Sequence, residues 1–502
     1  MTAILLISAC LTKKVSIARR SPRCSASQDD VNMKTINKDI LKLAIPSILA
    51  NITVPLVGMV DIAVAGHLDT NAATMIGGIA IGSMLFDLLY WNFGFLRVGT
   101  GGLAAQAYGR GDRRECARIL SRALGMSLAI ALLLIAIQWI FVKAAFLVVE
   151  CTPQVRDLAS KYFFVRIWAA PATLSLMALK GWFIGMQDSV SAMIADVTVN
   201  GMNILMSFIL ALGLTIGGNE IVIGMGFTGI AAGTVAAQWT GLAIALLIVA
   251  FKYRKDTMSK LTAEDLKEIF RGGETRRFLV MNANLFVRSL CFIAIYIGFT
   301  VISARYGDTL LAVFSIMMKL LMIFSYFTDG FAYAGEALTG RYIGAKDALG
   351  LRQTVKWTFV WSMGLAVMFM GIYHFAGVPM LRMMTSDPTV VDASRAFLPW
   401  LLLMPVVGCA AFTWDGIYIG ATASRQLRDS MIWAVVAFAG VWFVGIFILG
   451  LLCKNGTVAP QRYDGLAMHI LMMAYFAHLL ARTVHLTLNA RKSVMRFSAI
   501  HQ

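Results

Sequence analysis

Windows of at least about twenty apolar residues, each long enough to cross a bilayer as a helix, recur twelve times along this chain. They lie at 41–66, 73–97, 119–149, 158–186, 189–217, 222–252, 278–304, 308–334, 353–381, 393–420, 430–453 and 465–489. Such windows must be helical, because in hydrocarbon each backbone N–H and C=O has to be bonded within its own segment. The reading is an all-α polytopic membrane protein. Composition agrees: 59% of the 502 residues are hydrophobic and 14% charged, where a soluble domain is about half apolar and a quarter charged.

The net charge of +17 could suggest nucleic acid, but its placement reads as topology. Lys and Arg concentrate in connections that stay on the cytoplasmic side. The connection after span two carries Arg97, Arg110, Arg113, Arg114, Arg118 and Arg122; the one after span six carries eight basic residues from Lys252 to Arg277. More follow span four (Lys180), span eight (Arg341, Lys346, Arg352, Lys356), span ten (Arg425, Arg428) and span twelve (Arg482, Arg491, Lys492, Arg496). Connections after odd-numbered spans are poorer: the first and fifth have none, the seventh Arg305, and the eleventh Lys454 and Arg462. Both termini are therefore expected in the cytoplasm, and no nucleic-acid partner is implied.

The division that follows is 1–32, an extension; 33–252, a first six-span lobe; 253–277, a linker; 278–490, a second lobe; and 491–502, a tail. The extension is basic and Ser-rich, and reads either as disordered or as an over-extended gene start ahead of Met33. The linker contains Thr262-Ala-Glu-Asp265-Leu-Lys-Glu-Ile-Phe270, a helix-start pattern continuing as an amphipathic helix on the cytoplasmic surface. Seven scattered cysteines, with no Cys-x-x-Cys pair or Cys/His cluster, support neither a disulfide framework nor a metal site.

The two lobes look alike. Leu103-Ala-Ala-Gln-Ala-Tyr-Gly109-Arg-Gly-Asp112 and Leu338-Thr-Gly-Arg-Tyr-Ile-Gly344-Ala-Lys-Asp347 align at an offset of 235. The same offset lays Gly181-Trp-Phe-Ile184-Gly185 on Gly416-Ile-Tyr-Ile419-Gly420. Because six spans is an even number, both copies enter from the same side, which gives a parallel repeat about an axis along the membrane normal. A repeat of this kind leaves a cleft between two bundles, suited to alternating access.

Few ionisable residues fall inside the spans: Asp61, Asp87, Arg166 and Asp196 in the first lobe, and Arg288, Lys319, Asp329, Glu336 and Asp415 in the second. An intramembrane carboxylate is costly and normally faces a polar cavity or a proton path. Asp61 lies near the far end of span one, with no obvious basic partner in its lobe. A desolvated carboxylate without a cation takes up a proton more readily. Asn200 and Asn203 share a face of span five, and Thr234 and Gln238 a face of span six. These can bond a carboxylate or simply bond one another between helices. Pro46 and Pro55 each remove a backbone hydrogen bond from span one and kink it. The second lobe's Arg288, Lys319, Asp329, Glu336 and Asp415 read as a polar network, with internal ion pairing as the plain alternative.

The run Ala44-Ile-Pro-Ser-Ile-Leu-Ala-Asn-Ile-Thr-Val-Pro55-Leu-Val-Gly-Met-Val-Asp61, followed by Gly66-His-Leu-Asp69, resembles the multidrug and toxic compound extrusion (MATE) transporters, in their DNA-damage-inducible F branch. Phe95-Leu-Arg97 with Thr100–Gly109, Asp329-Gly-Phe-Ala-Tyr333 with Glu336, and Asp415-Gly-Ile-Tyr-Ile-Gly-Ala-Thr422 extend the resemblance over residues 36 to 490. It implies a V-shaped pair of six-helix lobes and a proton-coupled antiporter, not an enzyme, exporting amphipathic and often cationic compounds. Asp61 would be the protonation site; Asn203 and Thr234, with Asn200, Ser207 and Gln238, would line the cavity of the first lobe. Many relatives carry a second Asp where this chain has Ser207, so Asp61 would act largely alone. The acidic residues of a sodium site in another branch have no secure match, which favours protons over sodium.

No cofactor is implied beyond a proton gradient. The expected partners are small amphipathic substrates and membrane lipids, the expected state a monomer, and the expected location a bacterial cytoplasmic (inner) membrane. The alternatives are sodium-coupled efflux and a flippase for lipids or lipid-linked saccharides; the latter usually lines its cavity with several basic residues, where this chain offers Arg288 and Lys319.

Overall fold

The computed structural model describes residues 25–66, 68, 72–149, 151–216, 219–222, 224–262, 265, 273–385 and 387–498. Within them, twelve helices are long and apolar enough to cross a membrane. We number them α1 (Ser25–Gly66), α2 (Ala72–Trp91, a 3-10 turn Asn92–Gly94, then Phe95–Gly109), α3 (Arg113–Val148) and α4 (Pro153–Arg166, a 3-10 turn Ile167–Ala169, then Ala170–Gly185). There follow α5 (Ser189–Leu212), α6 (Phe227–Lys252), α7 (Gly273–Ala304), α8 (Asp308–Gly344), α9 (Ala348–Met384), α10 (Leu398–Gly420), α11 (Ser424–Lys454) and α12 (Tyr463–Ser493). The all-helical, twelve-span class expected from hydropathy is the one observed.

Boundaries differ where apolar character outruns the helix. Spans five and six were expected to run to 217 and from 222. Instead α5 stops at Leu212, because Gly213 takes a left-handed φ of 85°. A small antiparallel hairpin, β1 (Leu214–Ile216) with β2 (Asn219–Val222), then leads through Gly226 (φ 58°) into α6. The extension expected at 1–32 lies outside the described residues up to 24, and the backbone is already helical from Ser25. Of the amphipathic linker helix, 263, 264 and 266–270 lie outside them too.

Charge counting assigns Arg97, Lys180 and Arg482 to connections, yet all three lie inside helices. Hydropathy falls where a charge appears, but the hydrogen-bond ladder of the helix does not, and each charge has a carboxylate partner on another helix. Thus α2 continues past Arg97 through a small-residue run to Gly109.

The helices α1 to α6 pack mainly on one another, as do α7 to α12, and the two bundles meet along α1, α2 and α4 against α7, α8, α9 and α10. Aromatic side chains fill each core: Phe86 stacks on Phe163 at 4.6 Å in the first bundle, and Phe324 lies edge-on to Phe369 at 5.5 Å in the second.

The offset of 235 recurs in the coordinates. A Cβ on Gly109 would overlap the carbonyl of Arg341, and one on Gly344 would overlap that of Gln106, its repeat equivalent. Likewise Gly181 sits on Arg97 O and Gly416 on Ala332 O, while Gly185 sits on Gly101 O and Gly420 on Glu336 O. The turns after α2, α4, α8 and α10 share one geometry, with a left-handed residue at Gly111, Gln187, Lys346 and Thr422 in turn. Asp112, Asp188 and Asp347 then cap the next helix, accepting from Glu115 N, Ser191 N and Gly350 N. Only a residue without a Cβ permits such close backbone approach, so Gly109 and Gly344 seal the two bundles together on the side of the even-numbered loops, while Gly181, Gly185, Gly416 and Gly420 lock helix pairs within each bundle.

Candidate functional site

Helices α1, α5 and α6 build the polar centre of the first bundle. A Cβ on Gly233 of α6 would lie 2.6 Å from Ser207 N of α5, so the two backbones nearly touch and bring their polar residues to one level. Ser207 Oγ donates to Asp61 Oδ1 at 3.2 Å. One turn back, Asn203 Nδ2 donates to Thr234 Oγ1 at 2.9 Å, and Thr234 Oγ1 donates to Ile230 O at 3.3 Å. Asn200 Nδ2 donates to Thr53 Oγ1 of α1 at 2.5 Å. The structure therefore brings Asp61, Ser207, Asn203, Thr234 and Asn200 into one band. Gln238 lies a turn further along α6, half-buried.

Asp61 is 6% exposed, and no cation lies within ion-pairing distance of it among the described residues. Arg166 is within electrostatic reach of both Asp61 and Asp87, a charged neighbour rather than an ion-pair partner. Arg166 Nη1 donates to Tyr162 OH at 2.9 Å and lies 4.8 Å from the centre of the Phe86 ring. The signal in sequence was an Arg at membrane depth with a Tyr one turn before it, on the same helix face.

The helix α1 stays helical through Pro46 and Pro55. Pro46 cannot donate to the carbonyl of Lys42, and Ser189 Oγ of α5 takes that place at 3.1 Å. Beyond Asn51 the helix is thinly covered: Val54, Leu56 and Met59 are exposed.

The second bundle differs in kind. Asp415 of α10 receives Arg288 Nη2 at 2.6 Å and also pairs with Arg482 Nη2. Glu336, fully buried, receives Arg97 Nη1 from the other bundle at 3.2 Å, while the guanidinium of Arg97 lies 4.4 Å from the centre of the Tyr333 ring. Lys180 pairs with Asp196 at 2.5 Å. Asp329 is half-buried within electrostatic reach of Arg97, Lys180 and Arg288. Four of the five expected network residues thus gather around α7, α8 and α10. Lys319 does not: it is exposed and lies instead within electrostatic reach of Asp87 on the first bundle.

Sequence reasoning missed Arg97 and Arg482 as network members. The signal for Arg97 was the run Gly99, Gly101, Gly102, whose small residues leave room for groups of the other bundle, among them the Glu336 carboxylate against Gly101. Among the described residues, no three His, Cys, Asp or Glu side chains converge as metal ligands.

Interlobe contacts run from the even-numbered loops to the middle of the bundle. Gln106 Nε2 donates to Gly420 O at 3.0 Å and to Thr422 Oγ1 at 3.2 Å, Gln187 Nε2 to Ala337 O at 2.7 Å, and Asn51 Nδ2 to Tyr326 O at 3.1 Å.

Two repeated six-helix bundles around a polar intramembrane centre define a multi-pass membrane protein with the repeat architecture of membrane transporters. The chain belongs to the MatE family, whose sequence profile matches residues 46–209 and again 285–448, once in each bundle. It is 34% identical over 403 residues to DNA damage-inducible protein F of Escherichia coli (strain K12), covering 80% of this chain and 84% of that protein. It is 25% identical over 426 residues to the probable multidrug resistance protein NorM of Photorhabdus laumondii subsp. laumondii, covering 82% and 88%. Its fold matches a solved structure described as the outward-facing conformation of a multidrug resistance MATE family transporter of the MOP superfamily, with a TM-score of 0.77 at 15% identity, over 96% of this chain and 100% of that one.

Proposed function

We propose that the chain is a proton-coupled antiporter that exports amphipathic, often cationic, compounds by alternating access. In this reading it works as a monomer in a bacterial cytoplasmic membrane, with both termini inside and no cofactor other than the proton gradient. The observation that carries it is a contrast among buried carboxylates. Glu336 and Asp415 are each held by an arginine at ion-pair distance, whereas Asp61 is held by a hydroxyl. A carboxylate locked to a guanidinium is poorly suited to exchange its proton; one bonded to a hydroxyl can bind either a proton or a cationic ligand.

The cycle follows from that competition. With Asp61 ionised, a cationic substrate gains from its charge and from the amide and hydroxyl groups of Asn200, Asn203 and Thr234. Protonation removes the charge, weakens the substrate and releases it. A ligand shifts a conformational equilibrium only through different affinities for the two states. The outer, thinly packed part of α1, with a carbonyl freed by Pro55, is the element poised to repack when Asp61 changes charge. Closure on the side of the even-numbered loops fits a site that opens to the opposite face, where external protons enter.

The test is efflux from cells or proteoliposomes of a panel of cationic amphipaths at two external pH values. Asp61→Asn is expected to insert normally and lose proton-driven efflux; full efflux by that variant would refute the proposal. Replacing sodium with choline at fixed pH is expected to leave the wild-type rate unchanged.

A further inference from the structure

A cavity of about 450 Å³ opens on the side of the even-numbered loops, between the start of α7 and the turn that joins α10 to α11. Its size is within the roughly 300–1,000 Å³ range of small-ligand sites. Arg276, Arg277 and Arg425 stand on its wall, all exposed, and no ion pair among the described residues engages any of them. Deeper in the wall, Asn284 is 7% exposed; its Nδ2 donates to Ser424 Oγ at 3.2 Å and its Oδ1 accepts from Arg428 Nη1 at 2.8 Å. No lining residue carries a negative charge. Three guanidinium groups around a cavity without a carboxylate make a site for an anion.

The internal repeat shows what is missing. In the first bundle the equivalent turn supplies its own anion. Asp188 caps α5 and receives Lys252 Nζ at 2.7 Å and Tyr253 OH at 2.6 Å. In the second bundle the residue 235 positions on is Ala423, and α11 begins without a side-chain cap. The turn beside the cavity arginines thus presents no carboxylate, whereas the sister turn presents one, engaged there by Lys252 and Tyr253 of α6.

We propose that this cavity binds the phosphodiester headgroup of an anionic phospholipid. A lipid is favoured over free phosphate because exposed apolar side chains continue from the cavity into the membrane span. Leu279, Val280 and Val287 lie along α7, and Ile432 and Val436 along α11, which packs against it. Acyl chains can lie along this face while the headgroup meets the arginines, the arrangement of basic pockets between membrane helices. The headgroup rests on the turn whose Thr422 accepts from Gln106 of the other bundle, so its binding also favours closure on that side.

The test uses full-length protein in detergent, titrated with phosphatidylglycerol, phosphatidylcholine or inorganic phosphate and read by native mass spectrometry. Phosphatidylglycerol is expected to bind at one preferred site, well ahead of phosphatidylcholine, and to resist competition by phosphate. The triple variant R276A/R277A/R425A is expected to lose affinity at that site at least about tenfold. Ala423→Asp, which restores the carboxylate of the sister turn without removing an arginine, is expected to lower it as well. Equal retention by wild type and the triple variant overturns the proposal. So does phosphate displacing the lipid at matched concentration, which would make the site one for free phosphate.

Discussion

Gly109 and Gly344, 235 residues apart, stand at equivalent places in the two bundles, each pressed against a backbone carbonyl of the opposite bundle: Gly109 on Arg341 and Gly344 on Gln106. The contact is reciprocal, because Gln106 and Arg341 are themselves repeat equivalents. A two-fold relation of this kind lets one surface close on its own copy.

Gly109→Val or Gly344→Val places a side chain where a carbonyl already sits. Overpacking of this sort costs about 1–3 kcal/mol, here taken from the closed contact alone. Spin-label distances between the α2–α3 and α8–α9 turns are expected to lengthen and broaden in either variant. Unchanged distances would show that the seal does not depend on these glycines.

Ser207→Ala removes the hydroxyl that donates to Asp61. A hydrogen bond of this class is worth about 0.5–1.5 kcal/mol, more with a charged partner. Ser207→Ala is therefore expected to change the half-maximal drug concentration about tenfold or less, while Asp61→Asn abolishes proton-driven transport. Dose–response curves on the same membranes check the ranking; equal loss in both variants would argue that Ser207 does more than hold Asp61.

Asp415→Asn leaves Arg288 and the almost fully buried Arg482 without their carboxylate. Removing one partner of a buried pair costs roughly 3–5 kcal/mol, so the detergent-solubilised variant is expected to melt well below wild type. Lys319→Ala, at an exposed position outside this cluster, is expected to leave the melting temperature unchanged.

Asp265 ties the linker to the first bundle. The Arg114 guanidinium beside it, helped by Thr262 N–H and Arg118, holds its carboxyl well below the usual carboxylate range. A group whose pKa is lowered on folding contributes its full stabilisation above the unfolded value and loses it as pH falls through the folded one. The tether is thus expected to hold at pH ~7 and still at pH ~4, near the ordinary Asp value, and to release only in stronger acid. Limited proteolysis of residues 253–277 reads this directly: Asp265→Asn is expected to be cut faster at pH ~7 than wild type is at pH ~4.

How much of this was legible beforehand depends on range. Hydropathy located twelve helices, and two short motifs located the repeat, because both are properties of residues near one another in the chain. Asn200 and Asn203 could be placed on one helix face from their spacing, and Asp61 could be singled out by its depth. The partners of those residues could not be read. Arg97 reads as a loop charge because it ends the second apolar window and a glycine-rich run follows it; only the packing of α2 against α8 reveals Glu336, 239 positions later. Arg482 reads as topology because the basic residues Arg491, Lys492 and Arg496 follow it; only the packing of α10 against α12 pairs it with Asp415.

The sequence by itself determined the membrane class, the helix count, the two-bundle repeat and the set of charges that must be accommodated in hydrocarbon. Tertiary structure decided which of those charges are neutralised. Helix formation in a bilayer is enforced segment by segment through the backbone's own hydrogen bonds. Ion pairing depends on which side chains of different helices meet, and that is settled only when close-packed glycines fix the helices against each other. So Asp415 and Glu336 have arginines at ion-pair distance, while Asp61 is left with a serine hydroxyl.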